Sequence, residues 1–284
     1  MTKKVTQNFA IPSKTLRTGK FFQLLSTKLA AKFAMKAFLS PVKFNTPERE
    51  QMMQKSAKAI SFHVDQLDRE ITVYEYGFSK TRILLCHAWS GRGTQLYEIA
   101  DSLLENGMMV ITYDAPAHGQ SSGTRTTILE NLYCIEAITK KFGPFHAAIG
   151  HSFGGISLLV AQAQHPFLSK LVTIGIAGYT ADIIESFVDK LGLSAKVAQQ
   201  IISDYESQEQ GLITKTSAAE AAKKVEIPTL IVHDTEDKDV DVSNAYKIRQ
   251  NLEDGRLLIS SGLGHRKIIR NAATIRSIIK FIKP

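Results

Sequence analysis

Acidic side chains, cysteine and tryptophan are all scarce where they would be most informative. No Asp or Glu precedes Glu48, cysteine occurs twice and tryptophan once. Two cysteines, Cys86 and Cys134, give neither a disulfide framework nor a metal-ligand cluster. Both fall in apolar segments and read as buried free thiols of a reducing, cytoplasmic compartment. No uncharged apolar run reaches the ~18 residues that cross a bilayer. The first twenty residues lack the apolar core of a secretory signal, although their basic, acid-poor composition is that of a mitochondrial presequence. There is no G-x-G-x-x-G, no phosphate-binding loop and no His/Cys/Asp spacing of a metal site. Neither a cofactor nor a metal is therefore expected. The basic segment has no interleaved aromatics, which argues against nucleic acid as a partner.

What is present is an ordinary globular composition over 284 residues, 44% hydrophobic and 22% charged, enough to bury a large core. The net charge of +8 is concentrated at one end: residues 1–60 hold twelve Lys/Arg against Glu48 and Glu50, leaving the remainder near neutral. From Gly19 to Leu39, lysines 28, 32 and 36 share one helical face, with Phe22 or Leu25, Leu29, Phe33 and Ala37 away from them. This reads as a basic amphipathic helix. Packing on the domain with lysines in water is the favoured expectation, and a peripheral membrane or lipid contact through residues 19–39 is the alternative. In "NTPERE", Thr46 reads as a cap with Pro47 at the first helical position.

"ISFHVD" and "EITVYEYG" alternate as a hairpin over 60–77. Apolar strands are then expected at 82–88, 109–115, 146–151, 170–177, 228–234 and 256–261. Helices at 94–106, 127–141, 154–165, 242–252 and 267–282 separate most of them. This alternation describes an α/β fold: a mostly parallel eight-stranded sheet with helices on both faces. Between Ala177 and Pro228 only helical periodicity occurs, over more residues than one crossover requires. The expected organisation is a basic helical extension (1–58) packed on the core, a core of 59–177 with 227–284, and a helical cap insertion (178–226).

Chemistry in such a sheet collects at the carboxyl ends of the strands. Gly150-His151-Ser152-Phe153-Gly154 fits G-x-S-x-G between a strand and a helix, the setting of a nucleophile elbow. A serine hydroxyl needs a base, and the base an orienting acid. Asp237 lies in the loop after "TLIVHD", and His265 in "SSGLGHRKI" heads the last helix. Ser152, Asp237 and His265 thus occur in the required order, each after a separate strand. The oxyanion hole would take the N–H of Phe153 and that of Trp89, in the loop after "LLCHA". Asp234, Asp239, Asp241 and Asp182 are rival acids, and Asp237 is preferred for lying four residues past His233.

Here the chain, over roughly 60–284, resembles the α/β-hydrolase superfamily. The similar pieces are His87-Ala88-Trp89, "DAPAHGQS" (Asp114–Ser121), the elbow, the acid loop and "GLGHRKI". The combination "HAW-x-GR", "DAPAHGQS" and "GLGHRKI" is also similar to a bacterial group of hydrolases described as serine-aminopeptidase-like. Ala88 stands where the family usually has Gly. The resemblance implies a structural role for Asp114 and His118. His151 is read as a locally hydrogen-bonded side chain, and His63, His146, His165 and His233 as structural.

The expected activity is a serine hydrolase acting on a small-molecule acyl substrate, an ester, thioester or small amide, through an acyl-enzyme. An acyltransferase or cofactor-free peroxidase would use the same triad, and a lipid-surface protein with an inactive hydrolase fold is the alternative outside enzymes. The sequence sets neither the substrate nor the oligomeric state.

Overall fold

A computed structural model of the chain describes residues 11–208 and 211–283; residues 1–10 of the expected extension lie outside them. The strands are β1 (Lys58–Val64), β2 (Arg69–Tyr76), β3 (Arg82–Cys86), β4 (Met109–Tyr113), β5 (Ala147–His151), β6 (Lys170–Ile174), β7 (Thr229–Asp234) and β8 (Gly255–Ser260). The helices are α1 (Ser13–Leu25), α2 (Thr27–Phe38), α3 (Gln51–Ser56), α4 (Tyr97–Glu105), α5 (Ile128–Phe142), α6 (Phe153–Gln164), α7 (Thr180–Lys190), α8 (Ala195–Gln208), α9 (Leu212–Lys215), α10 (Ala218–Ala222), α11 (Ser243–Asn251), α12 (Gly264–Lys267) and α13 (Ala272–Ile282).

All eight strands form one sheet in the order β1-β2-β4-β3-β5-β6-β7-β8. The two pairs made by β2 are antiparallel and the rest are parallel. The expected α/β fold with a mostly parallel eight-stranded sheet is the one observed. Its strands carry near-continuous apolar runs because both faces are covered. On one face Ile83, Leu85, Ile149, Val172 and Val232 pack with Ile99 and Leu103 of α4 and with Ile275, Ile278 and Ile282 of α13. On the other, α6 lies on β3, β5 and β6, with α5 beside it, while α11 covers β7 and β8. Helix starts follow local chemistry. Thr127 and Glu130 form a reciprocal capping box on α5, satisfying two of the donors a helix start leaves without partners.

The chain divides into two compact units, one formed by residues up to Phe38 with Ala181–Gly211, the other by Leu39–Thr180 with Leu212–Pro284. The unit boundaries therefore fall elsewhere than at 58, 178 and 226. In the helical unit α1 packs on α2 and α2 on α8. The segment after Leu212 belongs with the sheet: Ala219 N–H donates to Gly178 O at 2.8 Å, and α10 packs on α6 and α11.

Three local expectations are corrected. The single helix at 19–39 is two helices broken at Ser26, whose backbone is extended (φ −167°); α1 begins at Ser13. Pro47 precedes the turn Glu48–Glu50 as its cap residue instead of occupying its first position. His265 heads the short α12, and the last helix starts at Ala272, where the Asn271 side chain accepts from Thr274 N–H at 3.0 Å. The Asn271 cap restarts the helix, so one apolar periodicity spans two elements.

Candidate active site

The carboxyl ends of β3, β4, β5, β7 and β8 carry the loops that hold the sequence-selected residues. At the end of β5 the chain turns into α6 through Ser152, with φ 50° and ψ −117°. A side chain in that region is strained, and such strain persists only where surrounding structure over-determines it. Here the Ser152 N–H is held by Ile174 O at 2.8 Å. The flanking glycines are required by contact. A Cβ on Gly150 would lie 2.5 Å from Gly155 Cα, and one on Gly154 would lie 2.4 Å from Cys86 O. The side chain of Ser152 stays half-buried. Phe153 is the first residue of α6, so its N–H has no acceptor within that helix and lies at the positive end of the helix dipole.

Asp237 and His265 meet. Their Oδ2 and Nδ1 atoms are 2.7 Å apart, and the Asp237 side chain is almost wholly buried. Its other oxygen accepts the N–H groups of Asp239 (2.8 Å) and Val240 (2.9 Å). Burial alone pushes the Asp237 pKa up. The His265 bond and charge, with these two amides, outweigh it and hold the carboxyl below its usual range, so it is ionised at neutral pH. Because Asp237 accepts, Nδ1 of His265 carries the proton and Nε2 is the basic nitrogen. His233 steadies the acid loop through a 2.9 Å bond from Nε2 to Val240 O.

Asp234 performs a different task from the acid role weighed for it. It accepts from Ser260 Oγ (2.7 Å), Gly264 N (2.8 Å), Glu236 N (2.9 Å) and Leu263 N (3.1 Å). One carboxylate thus ties the loop after β7 to the loop that delivers His265. Asp241 accepts from Ser243 N at 2.9 Å at the start of α11. His151 is buried, and its Nε2–H donates to His265 O at 2.9 Å, with the two rings 4.8 Å apart. Its partner is 114 residues away, not local as expected, and this places His265 beside the residue that precedes Ser152.

Gly175 had no part in the sequence reading. It has φ 61°, and a Cβ there would lie 3.1 Å from His265 Nδ1 and 3.4 Å from Asp237 Oδ2. Its position at the end of an apolar strand, "KLVTIG", was the one available signal, since a glycine there suits close approach.

On the other side of the elbow the rings of Trp89 and His118 stand near that of Phe153: Trp89 is 5.2 Å from Phe153 and 5.1 Å from His118. Trp89 lies in a tight turn in which Gly91 N donates to Ala88 O at 2.9 Å. His87 donates from Nδ1 to Ala88 O (2.7 Å) and accepts at Nε2 from Ala115 N (3.0 Å), joining the loops after β3 and β4. Burial lowers its pKa to about 4 and that of His118 to about 3. Asp114, also buried, accepts from Gly93 N (2.6 Å), Gln120 N (2.7 Å) and Tyr74 Oη (3.0 Å). These bonds shape the loop. Among the described residues, one group could offer ligands to a metal: Asp237, Asp239 and His265, with atoms within 4.8 Å of one another. Both Asp237 oxygens there already accept hydrogen bonds.

The family profile described as "alpha/beta hydrolase fold" matches residues 81–188, and that of the prolyl oligopeptidase family matches residues 146–283. No curated protein matches the sequence. Solved structures share the fold at low identity. A putative lipase from Acinetobacter baumannii AYE is 21% identical, with a TM-score of 0.60, over 84% of this chain and 97% of that one. A bromoperoxidase from Bacillus anthracis is 17% identical (TM-score 0.63, 80% and 100% covered). A membrane phospholipase A described as a bacterial virulence factor is 19% identical (TM-score 0.63, 95% and 98% covered). The chain belongs to the α/β-hydrolase superfamily and is an enzyme of that class.

Proposed function

We propose that this enzyme is a serine hydrolase that cleaves an ester, thioester or small amide through an acyl-enzyme on Ser152. His265 Nε2 takes the Ser152 proton as Oγ attacks the acyl carbonyl, then returns it to the leaving group. Asp237 fixes the imidazole tautomer and stabilises the imidazolium. The N–H groups of Phe153 and Trp89 hold the oxyanion, a contribution of about 3–4 kcal/mol to the barrier for each donor. Water, activated by His265, then releases the acid and restores Ser152.

The observation that carries this reading is the 2.7 Å pair between buried Asp237 and His265, on a loop bonded to His151 beside a serine in strained backbone. The lipase and phospholipase among the similar folds act on acyl bonds by name, which supports the same class. The buried free thiols of Cys86 and Cys134 support a reducing, cytoplasmic setting.

The test is steady-state turnover on p-nitrophenyl esters of increasing chain length. Wild type should turn over, and Ser152→Ala should fall by about 10³-fold or more. A Ser152→Ala enzyme retaining full rate would overturn the proposal. Product analysis with added alcohol or amine acceptors separates hydrolysis from acyl transfer.

A further inference from the structure

Helix α1 has two faces of unexpected character. Inward, within its own unit, it packs through a glycine and an aromatic: a Cβ on Gly19 would lie 3.2 Å from the Phe33 ring and 3.4 Å from Leu193, and the Phe22 and Phe33 rings are 5.5 Å apart. Gln23 accepts Ser194 N–H at 2.7 Å. Outward it presents its most apolar side chains. Leu24 is 86% exposed, Leu25 60%, Phe21 58%, and Leu29 at the start of α2 44%. The leucines at 25 and 29, expected to face inward, are thus turned out, because Ala30, Ala31 and Ala34 form the buried face of α2.

Lys14, Arg17, Phe21, Leu24 and Leu25 follow one another by three, four, three and one residues, so they share a helical face. Its apolar centre is bounded by exposed cations, Lys14 and Arg17 before it and Lys28 and Lys32 after it. No acid lies between residues 11 and 47. Among the described residues, the acids of the same unit, Asp182, Glu185, Asp189, Asp204 and Glu206, are on α7 and α8.

We propose that this face of α1, continued by the start of α2, docks the enzyme on an anionic phospholipid surface, with Phe21, Leu24, Leu25 and Leu29 entering the headgroup boundary and Lys14, Arg17, Lys28 and Lys32 pairing with lipid phosphates. Apolar side chains at this exposure project beyond the backbone, a shape suited to insertion between headgroups. The charged side chains of α1 and α2 are all cationic, complementary to an anionic leaflet. Among the described residues no helix is long and apolar enough to cross a membrane, so the contact is peripheral. It does not depend on the triad, and the two readings fail separately.

Full-length protein is floated with vesicles of phosphatidylcholine alone or with about 30% phosphatidylglycerol. Binding should be at least ~10-fold tighter on the anionic vesicles, given several cations near the surface, and weaker at high salt. Leu24→Ser with Leu25→Ser should reduce it about 10-fold or more. Lys14→Gln with Arg17→Gln and Lys28→Gln should erase the preference for phosphatidylglycerol. Circular dichroism controls for folding, and the altered side chains are exposed. Equal flotation on both vesicle types, or an unchanged Leu24→Ser/Leu25→Ser variant, overturns the docking. So does a protein that ignores vesicles but dimerises through this face.

Discussion

His118 is buried beside His87, Trp89 and Phe153, with Nδ1 3.0 Å from Pro116 O and Nε2 without a hydrogen-bond partner. Burial, then the charge of His87, lowers its pKa to about 3. The folded value lies below the unfolded 6.5, so the stability this histidine contributes is complete above pH 6.5. It is lost as pH falls from 6.5 towards 3, because only the unfolded chain takes up the proton. At pH 5 the gap below 6.5 is about 1.5 units, and at about 1.4 kcal/mol per unit one such histidine costs about 2 kcal/mol. His87, at about 4, and His151, well below the ordinary value, act in the same direction. His118 and His87 together approach ~4 kcal/mol, a sizeable part of the 5–15 kcal/mol of a typical domain. His118→Asn keeps a donor near Nδ1 and removes one titration. Urea unfolding followed by circular dichroism at pH 7.5 and 5.0 should show wild type losing several kcal/mol and the variant about 2 kcal/mol less. The difference between the two losses is the readout, since the smaller side chain lowers stability at both pH values. Equal losses in the two proteins would refute the assignment of a neutral, buried His118.

Asp237→Asn keeps an acceptor for Asp239 and Val240 N–H but turns an amide N–H towards His265 Nδ1, forcing the proton onto Nε2. Ester kcat should fall about 10³–10⁴-fold with Tm little changed, and a loss under tenfold would contradict the role of Asp237. Asp234→Ala strips the acceptor from four donors, and urea unfolding should register about 2–5 kcal/mol, with faster amide exchange at Leu263 and Gly264 than elsewhere in the sheet. Gly150→Ala sets a methyl group against the backbone of Gly155; a loss of ~3 kcal/mol or more is expected, and wild-type Tm would show that the turn can yield.

The sheet was legible because burial on both faces writes apolar runs of strand length between helical periods. The expected strands at 82–88, 109–115 and 170–177 end sooner, at Cys86, Tyr113 and Ile174, since the chain leaves the ladder where functional loops begin and apolar composition continues past that point. The elbow was legible because its glycines answer a local contact. Asp234 escaped as a loop tie because three of its four donors, the Leu263 and Gly264 N–H groups and the Ser260 hydroxyl, lie far along the chain and leave no pattern in side-chain spacing. The distant partner of His151 escaped for the same reason. For α1, amphipathicity alone did not reveal the inward face. Gly19 of α1 and Ala30, Ala31 and Ala34 of α2 form the buried faces, and that leaves the leucines outside.

Ser152 activated by the Asp237–His265 pair is most directly tested by a fluorophosphonate, which bonds only to an activated serine. Intact mass and peptide mapping of the treated enzyme should give one adduct, on Ser152, absent from Ser152→Ala and formed far more slowly by His265→Ala. Folded wild type that gains no adduct, or gains it at another serine with Ser152 untouched, would contradict the account.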